Sequence, residues 1–386
     1  MSPFTFNTTP SLVFESGAAR KLGATVAKRL GGNVLFVTDP GLRKLGLCDP
    51  ALASLEAAGI TVTIFDEVEA DPSRATLMKA VEAGQSAGAT GVIGFGGGSS
   101  LDVAKLAALL IGSGEDLDGA WGVAQAKGPR LPLALVPTTA GTGSEVTPVS
   151  IITVGEEEKR GVSSALILPD IAVLDPELTL GLPAPITAAT GIDAMVHAIE
   201  AYASKNANNN PLSNMLARQA LRLLGANIET AVFNGWDIEA RGAMLLGSML
   251  AGQAFANSPV AAVHALAYPI GGTFHVPHGL SNALVLPHVL RFNAPDAAHL
   301  YAEIAADAFP HLAGEEGRQG RCAAFIEELA ALAKKLGMQT RLREVNIGEE
   351  HLPKMAADAM KQQRLLVNNP REVSEADALA IYRAAW

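Results

Sequence analysis

Between Asn33 and Pro137, short apolar runs alternate with stretches of helical spacing, and this alternation narrows the possible folds more than any other feature of the chain. The runs Asn33 to Thr38, Thr61 to Phe65, Thr90 to Phe95 and Leu131 to Pro137 read as strands. Ala51 to Ala58, Ser73 to Ala87 and Leu101 to Ile111 read as the helices between them. Apolar strands joined through helices need a parallel sheet covered on both faces. After Ala172 to Pro176 and the proline-rich Gly181 to Pro185 the strand signal fades. Helical patterns then follow at Pro211 to Leu224, Glu239 to Ala256, Pro295 to Ala308, Arg321 to Leu336 and Ser374 to Ala385. A boundary near residue 180 is expected, with an α/β N-terminal domain over 1–180 and an all-α C-terminal domain over 181–386.

Two residue types divide along the same line. The densest glycine run, Gly94 to Gly98, lies in the first half, whereas all eight histidines lie at or beyond position 197. Residues 242–290 contain no Asp, Glu, Lys or Arg, yet Asn257, Pro259, Pro269, Gly271, Gly272 and four histidines interrupt them, so they do not read as a transmembrane span. A buried helix entering a protected site is the better account. The chain carries a net charge of −10 with no Lys/Arg block, which argues against nucleic acid or anionic lipid as partners. Cys48 and Cys322 are too few and too far apart for a disulfide scaffold, and the N-terminus has neither the basic nor the apolar region of a signal peptide. A cytoplasmic protein is expected.

The glycine loop Gly96, Gly97, Gly98 and Ser99 follows an apolar strand and opens an amphipathic helix. Free backbone N–H groups and the positive end of the helix dipole suit a pyrophosphate there. The dinucleotide fingerprint G-x-G-x-x-G is absent, so a plain βα turn capped by Ser99 or Ser100, with Asp102 completing a local cap, accounts for the loop equally well. A second loop of small and hydroxyl residues, Thr138 to Glu145, follows the strand ending at Pro137. Ligands favour such a position at the carboxyl edge of an open parallel sheet. Asp39 ends the first strand of the run, where it can begin a turn with Pro40 and Gly41 or accept hydrogen bonds from a ribose; read alone, the turn is the simpler account.

Asp193 and His197 stand four residues apart, on one helical face. His264 and His278 follow, fourteen apart, across a break formed by Pro269, Gly271, Gly272 and Pro277, so that a helix end and a helix start would face each other. One carboxylate and three imidazoles suit zinc, ferrous iron or manganese. His288, His299, His311 and His351 read as ordinary histidines, and His275 stays undecided.

Taken in order, GGGSSLDVAK at 96–105, PTTAGTGSEVT at 137–147, the Asp193/His197 pair, the His264/His278 spacing, DPEL at 175–178 and NNPR at 368–371 resemble the iron-containing (group III) alcohol dehydrogenase family. The resemblance implies a dehydroquinate synthase-like fold, with a dinucleotide-binding α/β domain followed by a helical domain. It implies a metal, Fe²⁺ with Zn²⁺ as an alternative, on Asp193, His197, His264 and His278, and NAD as the second cofactor. Gly96, Gly97, Gly98 and Ser99 would cradle the pyrophosphate, with Asp102 and Ser144 of the same motifs also among the cofactor-binding residues. Thr138, Thr139 and Thr142 would meet the nicotinamide half, Asp39 would favour NAD over NADP, and Lys159 is the counterpart of a cofactor-contacting lysine. Many members carry a histidine four residues after the third ligand; here that position is Tyr268, which leaves Tyr268, His275 or water to carry the proton.

The implied reaction is reversible hydride transfer between a small alcohol and NAD⁺, with the metal polarising the reacting oxygen and the cofactor carrying the hydride. Maleylacetate reductase is a rival that works without this metal set, and glycerol dehydrogenase and dehydroquinate synthase match the motifs less well. A catalytically idle metal-binding homologue is a rival of another kind, with Tyr268 as its only hint. Phe255, Val149 and Val367 are apolar candidates for the pocket and favour small apolar alcohols and aldehydes over polyols. A homodimer or larger homo-oligomer is implied by the family and permitted by the low charged fraction of 18%.

Overall fold

The computed structural model describes residues 3–155 and 158–386; Met1, Ser2, Glu156 and Glu157 lie outside the described residues. The chain forms two compact units. One comprises 7–139 and 143–180; the other comprises 181–386, with 140–142 and the N-terminal piece ending at Phe6.

The first unit is α/β. Its strands are β1 (Ser11–Phe14), β2 (Asn33–Val37), β3 (Thr61–Phe65), β4 (Gly91–Gly96), β5 (Gly122–Val123), β6 (Leu133–Pro137), β7 (Val149–Val154), β8 (Glu158–Ser163) and β9 (Ile171–Leu174). Six of them form one sheet in the order β1-β9-β6-β4-β2-β3, parallel at every pairing. The helices are α1 (Leu22–Leu30), α2 (Pro40–Lys44), α3 (Asp49–Ala57), α4 (Arg74–Ser86) and α5 (Gly98–Ser113). Side chains alternate across the sheet, as a two-residue period requires. Leu35, Val37, Val92 and Leu135 pack with Leu77 and Val81 of α4 and Leu101 of α5. Val34, Phe36, Ile93 and Phe95 pack on the other face with Leu22 and Val26 of α1 and Leu55 of α3. Each fully buried side chain of this kind contributes roughly 1.5–3 kcal/mol. The loops after β4 and β6 leave adjacent strands, because Gly96 pairs with Pro137 in register.

Two parts of this unit carry no strong sequence signal. β1 has only four residues and is half exposed along its length. β7 and β8 form an antiparallel hairpin that β5 extends into a separate three-stranded sheet, and β8 opens on the polar run Glu158, Lys159 and Arg160.

The second unit is helical: α6 (Ala184–Ala203), α7 (Pro211–Phe233), α8 (Ile238–Asn257), α9 (Ala262–Phe274), α10 (His278–Ala308), α11 (Arg318–Lys335), α12 (Leu352–Ala359), α13 (Gln363–Leu366) and α14 (Glu375–Ala385). Two expectations are corrected here. Pro269 lies inside α9 and breaks nothing, and Pro295 lies inside α10 without starting a helix. A proline removes one hydrogen bond and crowds one carbonyl. In α10 the burial of Leu284, Val285 and Leu286 before Pro287, and of Val289 and Leu290 after it, outweighs that loss. Among the described residues no helix is long and apolar enough to cross a membrane.

Candidate functional site

The four candidate ligands converge. One ligand atom from each of Asp193, His197, His264 and His278 lies within 4.8 Å of the others. Asp193 and His197 sit one turn apart on α6. His264 is in the first turn of α9 and His278 is the first residue of α10, so two helix starts meet where a helix end and a helix start were expected. The chain turns between them at His275, whose φ of 55° ends α9 in the left-handed region. Gly279 is required at the start of α10, because a Cβ there would overlap the Ala189 carbonyl of α6. Asp193, His197 and His264 are buried, while the His278 side chain is 39% exposed.

Hydrogen bonds set the tautomers. His197 Nδ1 lies 3.2 Å from the Gly141 carbonyl, which can only accept, so Nδ1 carries the hydrogen and the Nε2 lone pair is free. His264 Nδ1 lies 2.6 Å from Glu200 Oε2, with the same consequence. Burial pushes the His197 imidazole down to about 3, against the pull of Asp193, so this ring is neutral near pH 7. Burial alone would raise the Asp193 carboxyl, but the imidazoles of His197, His278 and His264 and the Asn282 amide outweigh it and hold it below its ordinary value.

Asn282, which sequence reasoning missed, shows where the acceptors point. Its Nδ2 donates to Asp193 Oδ1 at 2.6 Å and lies 3.3 Å from both His264 Nε2 and His278 Nε2. Its own Oδ1 is buried without a partner. Three acceptor atoms thus crowd one neutral amide group, and a donor set of three imidazole nitrogens and one carboxylate fits a divalent iron or zinc ion. The signal available in sequence was the i, i+4 spacing of His278 and Asn282.

The two candidates for proton transfer sit differently. The Tyr268 hydroxyl accepts a hydrogen bond from Arg364 Nη2 at 3.0 Å, and its ring centroid is 6.4 Å from that of His278. His275 is exposed, and its backbone N–H caps α9 on the Gly271 carbonyl. Phe255 stacks on His197 with ring centroids 4.4 Å apart, whereas Val367 is exposed. His288 is half-buried, and desolvation lowers it to about 4.

In the α/β unit, α5 starts earlier than the sequence suggests. Gly97 is the N-cap in extended conformation and no side chain caps the helix, so neither Ser99 nor Ser100 plays that part. Gly98 and Ser99 occupy the uncapped first turn, where backbone N–H groups can meet a phosphate. Gly96 has a φ of 153°, and a Cβ there would come within 2.7 Å of Ser100 Oγ. Thr138 is buried and its N–H donates to the Gly96 carbonyl, linking the two loops; the Thr139 side chain lies 3.8 Å from where a Cβ on Gly97 would stand. Thr142 belongs with the helical unit.

Asp102 is not a local cap. Its Oδ1 accepts from Ser144 Oγ at 2.7 Å and its Oδ2 from the Ile151 N–H at 2.8 Å, so one oxygen holds the loop after β6 and the other holds β7. Lys105, unremarked in the sequence, is fully buried and donates to Ser144 Oγ, Thr147 Oγ1 and the Val149 carbonyl at 2.8, 3.2 and 2.7 Å. The signal was a lone charge in an apolar helix. Asp39 caps α2, its Oδ1 accepting from the Leu42 N–H, so the turn is real and engages one carboxylate oxygen. Lys159 lies in β8 and pairs with Asp71 at 2.5 Å.

Two family profiles match the sequence: "Iron-containing alcohol dehydrogenase" over residues 9–176 and "Fe-containing alcohol dehydrogenase family, C-terminal" over 187–386. The chain belongs to the iron-containing alcohol dehydrogenase family. It is 42% identical over 369 residues to long-chain-alcohol dehydrogenase 1 of Geobacillus thermodenitrificans, covering 93% of this chain and 91% of that one. The crystal structure of a 1,3-propanediol oxidoreductase superposes with a TM-score of 0.95 at 35% identity, covering 100% of both chains. Sulfoacetaldehyde reductase from Bifidobacterium kashiwanohense, solved with NAD⁺, gives a TM-score of 0.87 at 27% identity, covering 100% of this chain and 99% of that one. The enzyme is accordingly an NAD-dependent alcohol dehydrogenase of the iron-containing family, with iron and NAD as its cofactors.

Proposed function

We propose that Asp193, His197, His264 and His278 hold the iron and that the chain interconverts a small, largely apolar alcohol with its aldehyde or ketone. The observation that carries this reading is the convergence of four ligand atoms within 4.8 Å, with the outer nitrogens of two imidazoles tied back to Gly141 and Glu200. A divalent metal held there supplies Lewis acidity to the reacting oxygen. The protein's own part is to hold Nδ1–H of His197 on Gly141 and of His264 on Glu200, so that their Nε2 atoms face the metal, and to cover the His197 ring with Phe255. The Phe255 ring is also the reason for favouring apolar substrates.

The α/β unit is the proposed dinucleotide domain. Gly96, Gly97, Gly98 and Ser99 hold the pyrophosphate on the uncapped start of α5; Thr138, Thr139 and Thr142 meet the nicotinamide half; Asp39 offers its remaining carboxylate oxygen to a ribose. Asp102 and Ser144 hold the loop in place. Tyr268 is favoured over His275 for proton transfer, because a hydroxyl that accepts from Arg364 keeps its own hydrogen to give. The enzyme acts in the cytoplasm as a homodimer or larger homo-oligomer, a state that the low charged fraction of 18% permits. Anaerobic loading with Fe²⁺, followed by NADH oxidation against a panel of aldehydes, tests the reading: bound metal and bound NADH with no turnover on any of them would overturn it.

A further inference from the structure

Glu200 lies three residues after His197 on α6, with its side chain 4% exposed. A carboxylate at that depth is costly unless both oxygens are engaged. Both are. Oε1 accepts from the Val263 N–H at 2.7 Å, and Oε2 lies 2.6 Å from His264 Nδ1. The N-cap of α9, Ala261, has no side-chain cap, so Glu200 supplies that end of the helix with an acceptor from another helix. One carboxylate thus fixes both the start of α9 and the ring that this start carries.

We propose that Glu200 is a positioning residue for the iron. It holds His264 as the Nδ1–H tautomer, orients the ring so that Nε2 faces Asp193 and His278, and makes that nitrogen a stronger donor through its negative charge. His197 has the neutral Gly141 carbonyl in the same place, so the two imidazoles are oriented by different groups, a backbone carbonyl and a side-chain carboxylate. This rests on the ligand set proposed above. A glutamine at 200 cannot replace the acid, since its amide has one acceptor atom for two donors. If its oxygen serves the Val263 N–H, its NH₂ meets His264 Nδ1 and drives the ring to the Nε2–H tautomer, which has no lone pair for the metal. If its oxygen serves His264, the start of α9 loses its acceptor.

The test strips the full-length protein of metal and titrates it with Zn²⁺, and anaerobically with Fe²⁺, against a competing chelator. Glu200→Gln is expected to weaken metal binding by about 10- to 100-fold and to speed loss of metal to the chelator. Glu200→Asp, which keeps the charge but shortens the reach, is expected to fall between Gln and the native residue. A purely structural role would lower the melting temperature of the metal-free protein and leave the metal affinity unchanged, and that result would overturn the proposal. Should the Gln variant not fold, an Asp variant with native affinity would overturn it equally. His197→Ala, run in parallel, separates the two levels: native affinity there would refute the ligand set, whereas weakened binding there with native affinity in both Glu200 variants would refute only the role of Glu200.

Discussion

Glu145 gives the stability of this enzyme an unusual dependence on pH. The residue follows the glycine-rich loop after β6, is buried, and has an Oε1 with no hydrogen-bond partner. Burial pushes its carboxyl up to about 7 from an ordinary 4.5, against the pull of its own backbone amide and of Lys105. The folded state therefore binds the proton more tightly than the unfolded chain. A raised carboxyl adds stability that is complete below the ordinary pKa and is lost as pH rises through the folded one. At about 1.36 kcal/mol per pKa unit the full effect is about 3 kcal/mol, of which about 2.5 kcal/mol is lost between about pH 5 and about pH 8. Glu145→Gln keeps the shape and cannot ionise. Urea unfolding of both proteins across this range, compared as a difference so that other groups cancel, is expected to show the variant gaining on the native enzyme as pH rises. A difference that is flat, or that falls with pH, would refute the reasoning, because a carboxylate already ionised and paired in the fold would behave in that way.

Two further outcomes follow from the same atoms and from the site. Lys105→Met leaves Asp102 buried without its nearest cation and removes three hydrogen bonds; it should cost about 3–5 kcal/mol in unfolding free energy and weaken NADH binding in a fluorescence titration. A loss under about 1 kcal/mol would show that this cluster does not hold the loop. Tyr268→Phe should lower kcat by about 100-fold with the KM for NADH unchanged, and a loss under about threefold would remove the hydroxyl from the proton path.

Much of the α/β unit was legible because its central strands are apolar on both faces, as β2, β4 and β6 show. The parts that were not legible have specific causes. β1 is too short to show a period, and the β7–β8 hairpin mixes charged residues into a strand. Local propensity argues for a break at Pro269, but α9 is buried on either side of it, and tertiary packing decides. Ser99 and Ser100 looked like caps because serine favours that position, yet Gly97 ends the extended segment and the helix begins at Gly98. At the site, the four candidate ligands could be picked out by residue type and spacing. Glu200 could not be assigned a role that way, since its imidazole partner lies 64 residues away, and Asn282 offered only its i, i+4 spacing from His278, its carboxylate partner lying 89 residues away. Lys105 stood in plain view as the one charge within Val103 to Ile111, but its partners belong to a loop more than 35 residues on.

The alcohol dehydrogenase reaction of this family requires a metal, which we propose is held by the Asp193, His197, His264 and His278 cluster. The most direct test measures bound iron and NADH-dependent aldehyde reduction on the same anaerobic sample, for the native chain and for His264→Ala. About one iron per chain with turnover is expected in the native protein, and loss of both in the variant with the fold and NADH binding kept. A variant that retains its iron and its activity would contradict this assignment.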